Sequence, residues 1–370
     1  MAINYAEKHA AKIDEKFAVA SITEKAVNKD YDFVGAKTVK VHSVPTVGMN
    51  NYQRTGTSRY GEPQELQDEL QELTMGQDRS FTFTVDAGNS EEDQALNAGR
   101  ALSRQVEQVI VPEVDRYRLA RMAAGAKHTQ VGTVTKANAY ETLLDLNGKM
   151  DLDGVPSAGR IAYVSTLFYK WLKLDSNFIQ ASDVAQEMRI NGQLGEVDGV
   201  AIVKGMGRLP AGVAVMLVHP VATTAPHKLA EYKTHINPPG INGQLVEGRN
   251  YFDAFVLNQK RGALAVHRDT MLSLAVTNAA GAADKTKFTA VDGHRGELET
   301  DMGKLVYIIG ATPAAPALGA DLSDSSTYPE LVLGTDITAA SGDKYIIALK
   351  DQNGLCIGTS GAAEACAIGA

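Results

Sequence analysis

The chain has 370 residues, of which 44% are hydrophobic, 22% charged and 6% aromatic, and its formal net charge is −8. This composition predicts a globular protein of two or three domains, long enough to form a core without disulfides or metal ions. It excludes a dedicated nucleic-acid-binding protein, because no surplus of Lys and Arg is present to neutralise phosphates.

The first segment, residues 1–30, is rich in Lys and Glu and has few apolar residues to anchor it. It carries no apolar stretch typical of a signal peptide. No later segment approaches the roughly 20 apolar residues that cross a bilayer. We therefore expect no membrane partner, and an N-terminal arm that is stabilised by packing on another surface.

Two segments, 37–44 and 80–85, alternate polar and apolar side chains, and this alternation predicts two strands that pair with each other. The polar stretch 45–79 between them is too long for an ordinary hairpin loop, and loops of this length are usually functional or disordered. Its acidic run, residues 62–72, contains no Lys or Arg. We predict that this stretch serves contacts with other molecules and not the folding of the chain.

The longest helical pattern covers residues 90–125. Ser90 and the acid three residues later, Asp93, form a start similar to a capping box, and apolar residues follow at steps of three and four. The pattern predicts one helix that ends at Gly125 and bends at Pro112. Its polar face carries three arginines that we expect to be exposed: Arg100, Arg104 and Arg118.

Residues 135–235 are typical of a mixed α/β block, in which short buried strands alternate with helices. The predicted elements are helices over 136–146 and 166–174, strands over 160–165, 197–203 and 213–218, and then a β-rich stretch over 245–266.

A change of composition near residues 270–285 predicts a domain boundary, because the chain beyond it is acidic and rich in Gly and Ala. Short strands separated by turns favour a small sandwich or barrel there. The predicted strands are 305–309, 331–333, 345–349 and 355–357. Both cysteines, Cys356 and Cys366, lie in this part. We interpret them as two reduced thiols, with a C-terminal disulfide as the alternative.

The side chains that carry chemistry form no recognisable site. The eight histidines are scattered, and no two have the spacing of a zinc-protease helix. No phosphate-binding loop, dinucleotide fingerprint or nucleophile elbow occurs. The acidic run 62–72 is better interpreted as a solvated loop face than as paired catalytic carboxylates. The sequence therefore predicts no enzyme, no cofactor and no metal site.

Several strings are similar to one family of phage proteins: residues 30–35 (DYDFVG), 78–83 (DRSFTF), 237–243 (NPPGING) and 246–249 (VEGR). With the order of the elements, they resemble the major capsid proteins of tailed phages over about residues 1–270. The fold of that family is shared with herpesvirus floor domains and encapsulins.

The resemblance implies an α+β fold, the tailed-phage major capsid fold, with an all-β accessory domain appended at the C-terminus. The implied parts are an N-terminal arm (1–37), an extended E-loop (38–85), a peripheral P-domain with a long spine helix (86–130 and 228–270), an axial A-domain (131–227) and the accessory β domain (281–370).

The implied function is that of a structural subunit, which self-assembles into the icosahedral phage head around double-stranded DNA. Its partners would be further copies in hexamers and pentamers, a separate scaffolding protein and a portal. The chain would reside in host cytoplasm before assembly and in the virion afterwards, and would enclose DNA without specific binding. The alternatives are an encapsulin-like nanocompartment shell, a β-rich surface binding module and a hydrolase with an unrecognised site. The candidate contacts between subunits are Arg54, Arg59, Glu65, Asp68, Glu69, Glu72, Arg79, Arg100, Arg104 and Arg118.

Overall fold

The computed structural model describes residues 21–31, 37–43, 46–63, 65–66, 68–87, 98–175, 195–292 and 303–369. The chain divides into two compact units. The first unit includes Gln77–Asp115 and His227–Phe252, and the second includes Thr23–Gly76, Arg116–Pro226 and Asp253–Ala370.

The described helices are α1 (Ala98–Gln105), α2 (Val111–Gly125), α3 (Ala139–Leu152) and α4 (Thr166–Leu174), with a π-helical segment at Val106–Ile110 and 3₁₀ turns at Glu24–Ala26, Pro220–Ala222 and Asn258–Ala263. The described strands are β1 (Thr38–Ser43), β2 (Glu69–Thr74), β3 (Gln77–Asp86), β4 (His128–Val131), β5 (Ile161–Val164), β6 (Glu196–Val197), β7 (Val200–Lys204), β8 (Val213–Val218), β9 (Thr223–Thr224), β10 (His227–Ile236), β11 (Gly243–Phe252), β12 (Phe255–Val256), β13 (Leu264–Arg268), β14 (Leu272–Ser273), β15 (Ala275–Ala280), β16 (Lys285–Asp292), β17 (Lys304–Gly310), β18 (Asp336–Thr338), β19 (Lys344–Lys350), β20 (Cys356–Thr359) and β21 (Glu364–Ala365).

The first unit is built on a three-stranded antiparallel sheet in the order β10–β11–β3. The predicted strand 80–85 is confirmed, and it is longer than the sequence pattern indicated. Val85 and Val246 are buried on one face of the sheet, where Leu102 of α1 packs against them. Gly248 lies directly under the ring of Phe81, so a side chain at that position would overlap the ring.

The long helix is confirmed from residue 98 to Gly125, but it is not a single regular helix. A π-helical segment, Val106–Ile110, separates α1 from α2. Pro112 lies two residues after the end of this segment, and a proline displaces the carbonyl four residues before it and offers no N–H. The irregularity near Pro112 is therefore a widened π-helical turn, at the place where the sequence predicted a bend. The predicted cap at Ser90 lies outside the described residues.

The second unit contains a six-stranded mixed sheet in the order β4–β13–β8–β5–β7–β6. All residues of β8 are buried, as the unbroken apolar run predicted. Helices α3 and α4 contribute Leu143, Leu146, Phe168 and Leu172 to the core of this sheet. α4 begins where predicted, because Ser165 accepts a hydrogen bond from the Phe168 N–H at 3.1 Å and caps the helix.

The pairing predicted for the first two strands is wrong. β1 pairs antiparallel with β2, with Thr38 opposite Thr74, whereas β3 pairs with β11. The second half of the stretch 45–79 is therefore not a loop, since its acidic run itself forms part of a strand. The prediction failed because alternation within β2 is hidden by charge: Leu73 is buried, but the residues on either side of it are exposed.

The C-terminal strands form two sheets, one in the order β14–β20–β19–β17 with β21 beside β19, and one in the order β15–β16–β18. The described residues from 272 to 369 contain no helix. Their buried side chains share one hydrophobic cluster with Ala120 and Ala124 of α2. These strands begin at Leu272, within the predicted boundary region 270–285 and before the implied domain start at 281, and their core is continuous with a helix of the second unit.

Three of the four strands predicted in this segment are present as β17, β19 and β20. The strand predicted over 331–333 is wrong, because the segment forms an irregular turn in which Val332 and Leu333 are exposed. Cys356 is buried, Cys366 is half-buried, and both are free thiols.

Candidate interaction surface

The hairpin β1–β2, with the loop 46–68 that joins its strands, is packed at its base against the rest of the second unit. Leu73 and Met75 are 1% and 0% exposed. The side chain of Gln71 substitutes for a neighbouring strand: its Nε2 donates to the Val256 carbonyl at 2.9 Å, and its Oε1 accepts from the Asn258 N–H at 3.0 Å. Residues 69–75 are thus part of the fold, which corrects the prediction that 45–79 serves only contacts.

Charged pairs follow the hairpin from its base toward its tip. Lys40 and Glu72 form an ion pair at 2.8 Å, and His42 Nδ1 lies 2.5 Å from the Asp68 carboxylate. All four side chains are about half exposed, and exposed pairs of this kind contribute only about 0–1 kcal/mol each. They align the two strands more than they stabilise them.

Three of the four acidic candidates have partners within their own chain. Asp68 and Glu72 bind His42 and Lys40, and Glu69 accepts a hydrogen bond from Gln259 Nε2 at 2.5 Å.

The loop 46–68 exposes apolar side chains in its described residues. Tyr60 is 83% exposed, and its ring meets that of Tyr52 edge to face at 5.1 Å. The loop keeps its shape through its own backbone, since the Gln53 N–H donates to the Arg59 carbonyl at 3.0 Å. The exposed apolar residues of the loop are Val47, Met49, Tyr52, Tyr60 and Leu66. Exposed apolar groups gathered on one loop are typical of a contact site.

Three further candidates lie on the same loop. Arg54 and Glu65 are exposed. Arg59 is exposed as well, and its Nε donates to the Gly56 carbonyl at 3.2 Å. The loop therefore combines an apolar surface with charges of both signs.

The remaining candidates are arginines outside the hairpin. Arg79 lies on β3, with its Nε 3.6 Å from the Glu113 carboxylate. Arg100 is exposed on α1 and Arg104 is half-buried one turn later. The expectation that Arg118 is exposed is wrong, because its side chain is only 5% exposed and lies 3.2 Å from Glu24 of its own chain.

Arg118 binds the N-terminal segment of the second unit. Its Nη1 donates to Thr23 Oγ1 and to Glu24 Oε2, both at 3.2 Å. The pKa of Glu24 lies below its usual value, because Lys29 and Arg118 both favour the carboxylate. Arg118 thus attaches residues 23–24 to α2 and is not available to another molecule.

Among the residues that the structure describes, no group of three or more His, Cys, Asp and Glu side chains could hold a metal ion. No helix in the described ranges has both the length and the apolar character needed to cross a membrane.

Sequence reasoning missed strand β2 and the exposed aromatic pair. The signal for β2 is the period of two formed by Gln71, Leu73 and Met75, which point inward between Glu72 and Thr74. The signal for the exposed surface is weaker. It consists of Tyr52 and Tyr60, two aromatic residues in a stretch otherwise rich in polar residues.

Comparison with known proteins identifies a fold. No family model matches the chain, and no curated protein matches it. The solved structure of Mycobacterium phage Che8 matches with a TM-score of 0.61 at 17% identity, over 71% of this chain and 96% of that chain. The capsid structure of the cyanophage P-SCSP1u matches with a TM-score of 0.61 at 12% identity, over 72% and 93% of the two chains.

The mature capsid of bacteriophage PhiM1 matches with a TM-score of 0.56 at 12% identity, over 72% of this chain and 92% of that chain. The chain therefore has the α+β fold of tailed-phage capsid structures, as the resemblance implied. These phage chains are covered almost completely, whereas more than a quarter of the present chain lies outside each match.

Proposed function

We propose that this chain is a structural subunit of a tailed-phage head, which self-assembles into an icosahedral shell around double-stranded DNA. The proposal combines the fold shared with phage capsids and the exposed apolar loop 46–68. A subunit that must stay soluble alone and bind many neighbours gains from contact surfaces that are buried only on assembly. The hairpin has this property, because its base is packed into the second unit while its tip is exposed.

The parts of the chain are assigned as follows under this proposal. Residues 1–37 form the N-terminal arm, and the hairpin with its loop acts as the E-loop. The first unit, with α1 and the sheet β10–β11–β3, corresponds to the P-domain. The six-stranded sheet with α3 and α4 corresponds to the A-domain. The segment from Leu272 onward makes up roughly the share of the chain left outside the matches to phage capsids, which favours an addition to the common fold.

The partners follow from the same proposal. Further copies form hexamers and pentamers, a separate scaffolding protein guides them, and a portal occupies one vertex. DNA is enclosed without specific contacts, because the net charge of −8 leaves no basic surplus to neutralise its phosphates. The subunit would act structurally, in the virion, and not as an enzyme.

The loop is the part of the proposal that mutation tests most directly. Replacing Met49 and Tyr60 with Ser removes exposed apolar area, and we expect an unchanged circular dichroism spectrum and melting curve but no particles in negative-stain microscopy. Leu152→Ser is the matched control. Leu152 is 88% exposed, which is similar to the exposure of Tyr60, but it lies at the end of α3, outside the loop.

Purified wild-type protein should form hollow icosahedral particles in the same assay. A protein that stays monomeric at all concentrations and salt conditions, with or without a scaffolding protein, would contradict the proposal. Particles isolated with an enzyme inside and no DNA would instead favour the encapsulin-like compartment.

A further inference from the structure

The three-stranded sheet of the first unit ends in a long edge strand. β10 spans ten residues and pairs on one side with β11. Among the described residues no strand pairs with its other side. A free edge of this length presents a row of unpaired backbone N–H and C=O groups, and natural proteins cover such an edge, blunt it or use it for association.

The exposed face of this sheet carries charges of alternating sign that continue from strand to strand. On β11, Arg249 binds the Asp78 carboxylate of β3 through its Nε at 2.8 Å and its Nη2 at 2.5 Å. Across to β10, Arg249 lies opposite Glu231, which is a further negative charge acting on it. On the edge strand the network ends in one acid and one base, beside His235, whose Nε2 lies 3.3 Å from the Glu247 carboxylate.

The acid and the base are Glu231 and Lys233, which lie on the same face of β10. Their side chains are 50% and 61% exposed, and they form a weak ion pair at 3.3 Å. Lys233 lies opposite Glu247 of β11. The edge therefore offers a negative and a positive charge two residues apart, on either side of Tyr232.

This spacing is self-complementary in an antiparallel pair. If two copies of β10 pair about a two-fold axis at Tyr232, residue 231 of each strand lies opposite residue 233 of the other. Glu231 then faces Lys233 of the second copy, and the same contact occurs twice. Opposite charges placed directly across a sheet stabilise the pair, and like charges destabilise it. An edge strand that served only to prevent association with a second copy would carry like charges at these two positions.

We propose that β10 is the strand by which two copies of this chain associate, paired antiparallel about a two-fold axis at Tyr232 to form one continuous six-stranded sheet. The inference rests on the proposed function in that its partner is a second subunit of the shell, which contains two-fold axes. It deepens that function by naming the strand, the register and the two charges that select the register. Tyr232 suits the axis, because its hydroxyl is already bound to Asn250 Oδ1 at 3.1 Å and needs no partner from the second copy.

Charge reversal tests the register. Glu231→Lys places Lys opposite Lys twice across the axis, and Lys233→Glu places Glu opposite Glu twice. We expect each single variant to weaken dimer association about tenfold or more in sedimentation velocity and to reduce the yield of particles. The double variant, Glu231→Lys with Lys233→Glu, restores opposite charges at both contacts and should recover association and particles.

The double variant separates the interface from the stability of the sheet itself. Within one chain it places a lysine side chain opposite Arg249 and a glutamate side chain opposite Glu247, so it combines both local repulsions. If the two exchanged residues acted only within their own sheet, the double variant would be the worst of the three in melting and in assembly. That result would overturn the proposal.

The matched control is Glu247→Lys, because Glu247 is 49% exposed on the same face but lies on the central strand, away from the edge. It changes the charge opposite Lys233 and beside His235 within one chain, but none of the charges that meet across the axis, so it should lower dimer association less than either single variant. If wild type forms particles and all variants assemble equally well, the pairing is refuted while the shell function stands. If wild type forms no particles but its dimers follow the charge pattern, the pairing stands and the shell function fails.

Discussion

The C-terminal strands share a buried core with α2, and replacing Phe288 tests whether they unfold together with the second unit. Phe288 is 0% exposed, and its ring meets that of Tyr345 edge to face at 4.8 Å. Truncation to Ala loses these contacts and leaves a cavity, at a cost of about 3–5 kcal/mol. For a cooperative unit of about 150–250 residues each kcal/mol lowers the Tm by about 2–4 °C, so we expect a decrease on the order of 10 °C.

The contacts around the C-terminal segment explain why Phe288→Ala should also destabilise the six-stranded sheet. Asn353 Nδ2 donates to the Ala126 carbonyl at 2.8 Å, just beyond the end of α2, and Thr129 Oγ1 of β4 donates to Asp351 Oδ2 at 3.1 Å. Arg268 at the end of β13 is 1% exposed, and Asp351 is the negative charge that acts on it. The segment is thus bound to a helix and to two strands of the six-stranded sheet.

The assay uses the single tryptophan of the chain, Trp171 on α4. It packs against the core of the six-stranded sheet, and the described residues of that core include none from the C-terminal strands. We expect Phe288→Ala to shift the unfolding transition followed by Trp171 fluorescence as far as the one followed by far-UV circular dichroism. Val332→Ala, at a position 62% exposed in the same segment, is the control that should shift neither.

An unshifted Trp171 transition, together with a separate and earlier transition in circular dichroism, would refute this reasoning. The C-terminal segment would then unfold on its own and behave as the separable accessory domain that composition predicted for 281–370.

Two further predictions follow from perturbed pKa values. The pKa of Asp153 is lowered by its hydrogen bond to Lys127 and then by His128, so its carboxylate stabilises the fold at neutral pH and this contribution is lost as pH falls through the lowered pKa. Asp153→Asn should therefore reduce the free energy of unfolding by about 1 kcal/mol at pH 7. The difference from wild type should become smaller in acid, and urea titrations at pH 7 and pH 3 measure it. Burial raises the pKa of the Cys356 thiol to about 11, so in native protein at pH 8 a thiol reagent should label Cys366 first, and peptide mass spectrometry should find Cys356 labelled only after denaturation. Equal labelling of both cysteines in native protein would show that the β20 region opens.

The elements that could be predicted from the sequence are those defined by local patterns. Strand β8 is an unbroken apolar run, and α4 follows a serine that caps it, so neither depends on distant residues. The pairing of β3 with β11 joins residues more than 150 positions apart, and no pattern within either strand specifies the partner. The burial of Arg118 was not predicted for a related reason, since it depends on Thr23 and Glu24, which are far away in the chain.

Under the proposed function, the structure also indicates which force would hold the loop 46–68 to a neighbouring subunit. Asp68, Glu69 and Glu72 already bind groups of their own chain, so reversing their charges would disturb the hairpin before it reached any interface. Each ion pair that remains possible on the exposed loop contributes about 0–1 kcal/mol. Burying an exposed side chain the size of Met49 or Tyr60 contributes about 1.5–3 kcal/mol. In a shell, apolar burial would therefore supply most of the affinity of this loop, and the charges beside it would select the orientation in which a neighbour binds.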